Sequence, residues 1–156
     1  MKHPLVIMAS IFGVVSCNNN SKTPVENRDS IEAITPVNKE ITQCYTGIKA
    51  KDTVFLQLNK TNNNITGNLE YKRFEKDQNK GTIEGMMRGD TLLADYTFMS
   101  EGVTSIREVI FLKKGNRLVE GFGDVEEKSG KMVFKDTGTV KFDESMLLKE
   151  VDCNNK

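Results

Sequence analysis

The chain has no tryptophan, one histidine, three prolines and three cysteines among its 156 residues, and its 22 basic residues balance 22 acidic ones. Each scarcity removes a class of function. The lone histidine is His3, inside a segment read below as a leader, so the remainder carries no imidazole. Imidazole is the usual general base near neutral pH and the commonest metal ligand. Ser-His-Asp and Cys-His catalysis are therefore excluded, as are zinc sites that need histidine. The cysteines form no CxxC spacing, which argues against a redox or metal-binding pair. Once Lys2 goes with the leader, 21 basic residues (22 less one) face 22 acidic ones, and nucleic acid would want a strongly basic face. A long apolar run is missing too. Pro4 to Val15 is uncharged, but twelve residues at about 1.5 Å each cover roughly 18 Å, short of a bilayer core of about 30 Å.

What is present begins with that short run. A basic start (Met1-Lys2-His3), an apolar stretch and the small Ser16 describe a secretory leader over residues 1–16. Val14-Val15-Ser16-Cys17 also resembles the lipobox of bacterial lipoproteins, with an aliphatic residue three before the cysteine and a small one just before it. The resemblance implies cleavage before Cys17, a diacylglycerol on its thiol and an acylated amine. Each buried methylene contributes about 0.8 kcal/mol, so one chain anchors marginally and two or more anchor stably. Asn18 stands where an aspartate would resemble the inner-membrane retention signal. The expected address is the bacterial cell envelope, lipid-anchored, at the outer membrane and facing the periplasm.

With Cys17 lipidated, Cys44 and Cys153 remain, in a compartment where disulfides persist. They fall near the two ends of the patterned region and are expected to bond. A closed loop of roughly 100 residues stabilises by about 4.7 kcal/mol on the chain-entropy model.

Residues 17–40 form the expected lipidated flexible linker: from Asn18 on they are polar, carry Pro24 and Pro36, and as a coil would span roughly 25 Å. From residue 41 to 153 the pattern is all-β. Runs rich in β-branched and aromatic residues alternate with turn signals such as "KTNNN" (60–64), "RGD" (88–90), "SEG" (100–102) and "KKGN" (113–116). The spacing predicts strands over 43–50, 53–59, 65–74, 82–88, 91–99, 104–113, 117–125, 132–135 and 139–142. Only Glu144–Val151 offers a helical apolar repeat. An antiparallel meander of eight or nine strands most simply closes into a small up-and-down barrel, which removes exposed edges. The Gly89-Asp90 of "RGD" is hairpin chemistry rather than an integrin motif.

Ile65-Thr66-Gly67, Ile83-Glu84-Gly85 and Val119-Glu120-Gly121 share an aliphatic-x-glycine pattern. Residues two apart share a face, so all three glycines are expected to point inwards, allowing either barrel curvature or room for a ligand. Val54, Leu56, Leu58, Leu92, Ala94, Tyr96 and Phe98 are expected inside, with Asp95 and Thr97 outside. The strand "TSIREVIFLKK" does not resolve, since burying either face takes Arg107 or Glu108 with it. A buried unpaired charge is costly, so it should be paired, at a rim, or functional. Tyr96, Glu101, Arg107 and Glu108 are the candidate ligand-binding patch at one barrel mouth. Asp90, Asp95, Glu101 and Glu108 could supply carboxylates for a glycosidase, but such chemistry needs a deep cleft that so turn-dense a chain offers poorly.

Asp29-Ser30-Ile31, Asp52-Thr53-Val54 and Asp90-Thr91-Leu92 resemble an O-glycosylation triplet of some Gram-negative envelope proteins, and only the first lies in the linker. The whole chain is similar to small envelope lipoproteins with a tether and a compact β-barrel, including a lipocalin-like group and envelope-stress lipoproteins, whose first strand "CYTG" (44–47) resembles. It departs from them in lacking a Gly-x-Trp signature and a CxxC. The resemblance implies an architecture and no specific activity; the expected function is a non-enzymatic, cofactor-free and metal-free membrane-tethered barrel that binds a small apolar or amphipathic ligand. The alternative is an interaction module with a filled barrel, favoured if Phe55, Met86 and Phe122 cluster into one patch.

Overall fold

A computed structural model describes residues 39–76 and 78–154. The leader, Cys17, Asp29-Ser30-Ile31 and the linker up to residue 38 lie outside the described residues. Ten strands form one sheet: β1 (Ile41–Lys49), β2 (Asp52–Thr61), β3 (Asn64–Lys72), β4 (Asn79–Arg88), β5 (Thr91–Ser100), β6 (Val103–Lys114), β7 (Arg117–Phe122), β8 (Val125–Lys128), β9 (Lys131–Phe134) and β10 (Lys141–Val151). β1 to β7 pair in succession and β10 fits between β7 and β1, so eight antiparallel strands close a barrel. The β8–β9 hairpin stands outside that ring, held by parallel pairing of Lys131 and Met132 with Ile106 and Arg107.

Local chemistry explains the up-and-down path. Lys49 pairs with Asp52, Thr61 with Asn64, Arg88 with Thr91, Ser100 with Val103 and Lys114 with Arg117, each leaving a loop of two residues. Such tight turns need positive φ, which Glu101 (51°) and Gly102 (80°) supply between β5 and β6.

Two glycines bend the wall as expected. A Cβ on Gly67 would lie 1.9 Å from the Gln57 carbonyl oxygen, and one on Gly85 would lie 2.2 Å from that of Leu93. Both positions crowd a neighbouring backbone, so they serve curvature and leave no ligand space. Gly121 departs from expectation. It sits on the outer face with Ile110 opposite, and a Cβ there would lie 2.5 Å from Val140 and 2.9 Å from Phe142. The inward residue of that triplet is Glu120, opposite the core residue Phe111.

The tail also departs from the helical reading. Lys141 to Val151 is one strand, with an irregularity between Phe142 and Leu147 where it leaves register with β7. Eight residues satisfy either period, and two waiting edges, β1 and β7, decide for strand. The Cys44–Cys153 disulfide forms as expected, with Cα atoms 5.1 Å apart across a sequence separation of 109.

One end of the barrel carries the β2–β3, β4–β5 and β6–β7 turns, the start of β1 and the disulfide. Its interior is filled by Tyr45, Leu58, Ile65, Leu92, Phe111 and Leu118, leaving a gap of only about 20 Å³. We call it the closed end; the other, with the β1–β2 and β5–β6 turns and the β3–β4 loop, is the open end.

Candidate functional site

β6 resolves with Arg107, Val109 and Phe111 facing in and Ile106, Glu108 and Ile110 facing out, since Val109 and Phe111 belong to the core. Arg107 lies directly across the β5–β6 ladder from Tyr96. Its guanidinium carbon is 5.2 Å from the ring of Tyr71 and 5.5 Å from those of Tyr96 and Phe98. Tyr96 stacks on Phe98 at 4.7 Å and meets Tyr71 edge-on at 5.9 Å. An arginine within about 6 Å of an aromatic face is held by the ring quadrupole, and three rings fix the plane of this one. Among the described residues, Arg107 makes no ion pair within 4.0 Å, and its buried Nε and the buried Tyr96 hydroxyl have no hydrogen-bond partner.

Beside this box the Tyr71 hydroxyl donates to Glu120 Oε1 at 2.5 Å. Burial raises the Glu120 carboxyl above the usual range, partly offset by the Tyr71 bond and the guanidinium groups of Arg107 and Arg73. Burial also raises the Tyr71 hydroxyl well above its ordinary value, reinforced by the Glu120 charge. Tyr96 is pushed up to about 12, again by burial, with Arg107 opposing.

Of the four candidates named from the sequence, the structure brings Tyr96 and Arg107 together and separates the other two. Glu101 is exposed in the β5–β6 turn. Glu108 is on the outer wall, where it accepts the Phe134 backbone N–H at 2.9 Å and lies 3.5 Å from Lys131. Lys131 also bonds Asp95 at 2.5 Å, so Glu108 and Asp95 hold the β8–β9 hairpin against the barrel. The single patch at one mouth is not what forms, because consecutive strand residues face opposite sides.

Two clefts open at this end. One of about 490 Å³ is walled by Val54, Phe74, Phe122 and Met146 and reaches Arg73 and Glu120. Its rim is tied down: Lys51 Nζ sits 3.7 Å over the Phe74 ring, and Asp52 accepts the Phe74 backbone N–H at 2.8 Å. The other, about 310 Å³, is lined by the inward Arg107 and Glu120 and also by the outward Glu108, with Phe122, Met132 and Phe134. Residues from both faces line it because β7 pairs with β6 only over Ile110–Lys114, leaving a seam below. Phe55 and Met86 lie on the outer wall; their β3 partners, Glu70 and Asn64, are six residues apart, or roughly 20 Å along the strand. Phe122 lines the clefts, so the three do not form one patch.

Sequence reasoning misses Tyr71, Arg73 and Glu120. Tyr71 is readable, since Ile65, Leu69 and Tyr71 share one parity. Glu120 is not, because Leu118 and Val119 are both apolar and leave the face of β7 open. Among the described residues no three His, Cys, Asp or Glu side chains converge as metal ligands. Comparison with known protein families, curated proteins and solved structures finds no match to this chain.

Proposed function

We propose that the chain is a lipid-anchored envelope protein, held through Cys17 at the outer membrane and facing the periplasm, whose barrel binds a small amphipathic molecule without transforming it. The anchor rests on the lipobox resemblance of Val14 to Cys17. The binding role rests on one observation: a cleft of about 490 Å³ in which Val54, Phe74, Phe122 and Met146 lead from a charged rim of Lys49, Lys51, Asp52 and Asp143 to the interior carboxyl of Glu120. Small-molecule sites are mostly apolar clefts of about 300–1,000 Å³ with a few converging polar groups.

A protein-interaction role draws support from Ile48, Met99 and Val103, apolar residues exposed around the same mouth. Native mass spectrometry of the exported full chain, with a Cys17→Ser counterpart as the unanchored control, separates the two. The ligand reading expects a copurified molecule of small mass that organic extraction removes, and a counterpart released from the membrane fraction. Protein that flies at its own mass and binds no alkyl-chain probe refutes it.

A further inference from the structure

Among the described residues, Arg107 is the inward charged side chain with no ion pair within 4.0 Å and no hydrogen-bond acceptor for its buried Nε, the carboxyl of Glu120 acting on it only from beyond that distance. The geometry points to Arg107 as the receptor for the carboxylate of an amphipathic ligand, reached through the seam between β6 and β7. This assignment rests on the ligand-binding reading above and names the chemistry of the ligand's head.

Several observations converge on it. The side chain is fixed before any ligand arrives, between the rings of Tyr71, Tyr96 and Phe98. A guanidinium held in plane offers two parallel N–H groups to a planar carboxylate, a charge-assisted pairing that a lysine or a neutral donor does not reproduce. The nearest interior carboxylate, Glu120, does not fill that role: it accepts from Tyr71 and stands beyond ion-pair distance of Arg107. The seam cleft is lined by two guanidinium groups, Arg73 and Arg107, and by two carboxylates, Glu120 and Glu108, the latter already engaged by Lys131 and the Phe134 backbone N–H. Arg73 is itself only loosely engaged, 3.9 Å from Asp52. An anion entering there meets a guanidinium without an ion pair, whereas a cation meets carboxylates that already accept from Tyr71 and from the Phe134 N–H.

The walls choose the kind of anion. Phe122, Val125, Met132 and Phe134 border the same cleft, and the first three of these are exposed. Apolar walls beside one arginine edge fit an alkyl or aryl carboxylate. They fit a phosphate dianion poorly, since it would need more donors than this edge provides. Arg107 Nε is sealed from solvent, so the carboxylate would meet the terminal Nη edge.

The test is calorimetric titration of the full chain, carrying Cys17→Ser so that no detergent is needed, with decanoate, decanol and decyltrimethylammonium. Decanoate is expected to bind about tenfold or more tighter than decanol, as for a hydrogen bond to a charged group, with the ammonium weakest. Arg107→Gln should erase the preference for decanoate over decanol, and Arg107→Lys should retain part of it. Equal binding of all three heads, a preference for the ammonium, or a preference that survives Arg107→Gln would overturn the assignment while leaving ligand binding intact. If no decyl probe binds, the ligand-binding reading itself fails. Should Arg107→Gln not fold, the head-group series on the unsubstituted barrel and Arg107→Lys still decide.

Discussion

The two ends of the barrel are built from the same strands and differ in what those strands carry inside. Along β6 the inward residues run from Phe111 through Val109 to Arg107; along β7 they run from Leu118 to Glu120; along β5 from Leu92 through Ala94 to Tyr96. In each case the closed-end residue is apolar and packed, and a polar group enters towards the open end, followed on β5 by Phe98 and on β7 by Phe122. Strand alternation decides which face a residue takes, while its depth along the strand decides whether it serves the core or the mouth. The closed end is filled by side chains. The open end retains clefts, exposed apolar side chains and a cation without an acceptor, features that stability alone does not favour.

That contrast implies that equivalent truncations have unequal effects. Phe111 is fully buried and Phe122 is 51% exposed. Phe111→Ala is expected to destabilise by about 3–5 kcal/mol, the usual range for a core phenylalanine. Phe122→Ala should lose about 1 kcal/mol or less, since much of its surface stays in water. Urea midpoints at unchanged m-value read the difference. Similar losses at both positions would mean that the open end is packed like the closed one.

The disulfide sharpens the contrast from the other side. It ties β1 to the residues just after β10 at the closed end, closing a loop of sequence separation 109. Its reduction should destabilise the whole barrel by about 2–5 kcal/mol, yet leave affinity for alkyl probes at the open end unchanged while the protein stays folded. A probe affinity that falls with reduction in folded protein would show that the two ends are coupled.

Most of the fold is legible in the residues because two-residue turns and period-two alternation are local signals. The Ser100–Val103 and Lys114–Arg117 turns and the inward faces of β2 and β5 follow from them, while the Cys44–Cys153 bond follows from the cysteine count once Cys17 is set aside. The fate of the 123–140 segment does not. Its hairpin pairs in parallel with β6, a contact between distant residues that no local pattern encodes. The site is legible only in part for the same reason. Tyr96 and Arg107 become neighbours through strand register, whereas Glu108, a mouth residue by sequence pattern, is claimed on the outer wall by the hairpin. Glu120 stays hidden because the face of β7 depends on the outer layer of Val140 and Phe142, which covers Gly121.

The smallest expected effect tests the polar interior by pH. Burial raises the Glu120 carboxyl above its ordinary value, so the native barrel holds that proton more tightly than the unfolded chain does. Stability from this group therefore falls as pH rises from the ordinary carboxylate range through the raised native value, and is not penalised below both. The exposed carboxyls of Glu126, Asp143 and Glu144 are lowered by hydrogen bonds with Lys128, Ser145 and Lys114, and act in the opposite sense, losing stability as pH falls. A bare pH profile would mix the two, so the comparison must be between the native chain and Glu120→Gln. The amide oxygen can still accept the Tyr71 hydroxyl, while the titration is gone. The variant should gain on the native chain as pH rises from about 4 to about 8, read as the difference between their urea midpoints. A difference that stays flat across that range would mean Glu120 is solvated like the surface carboxyls, and the open end would lose its polar interior as a feature distinct from its rim.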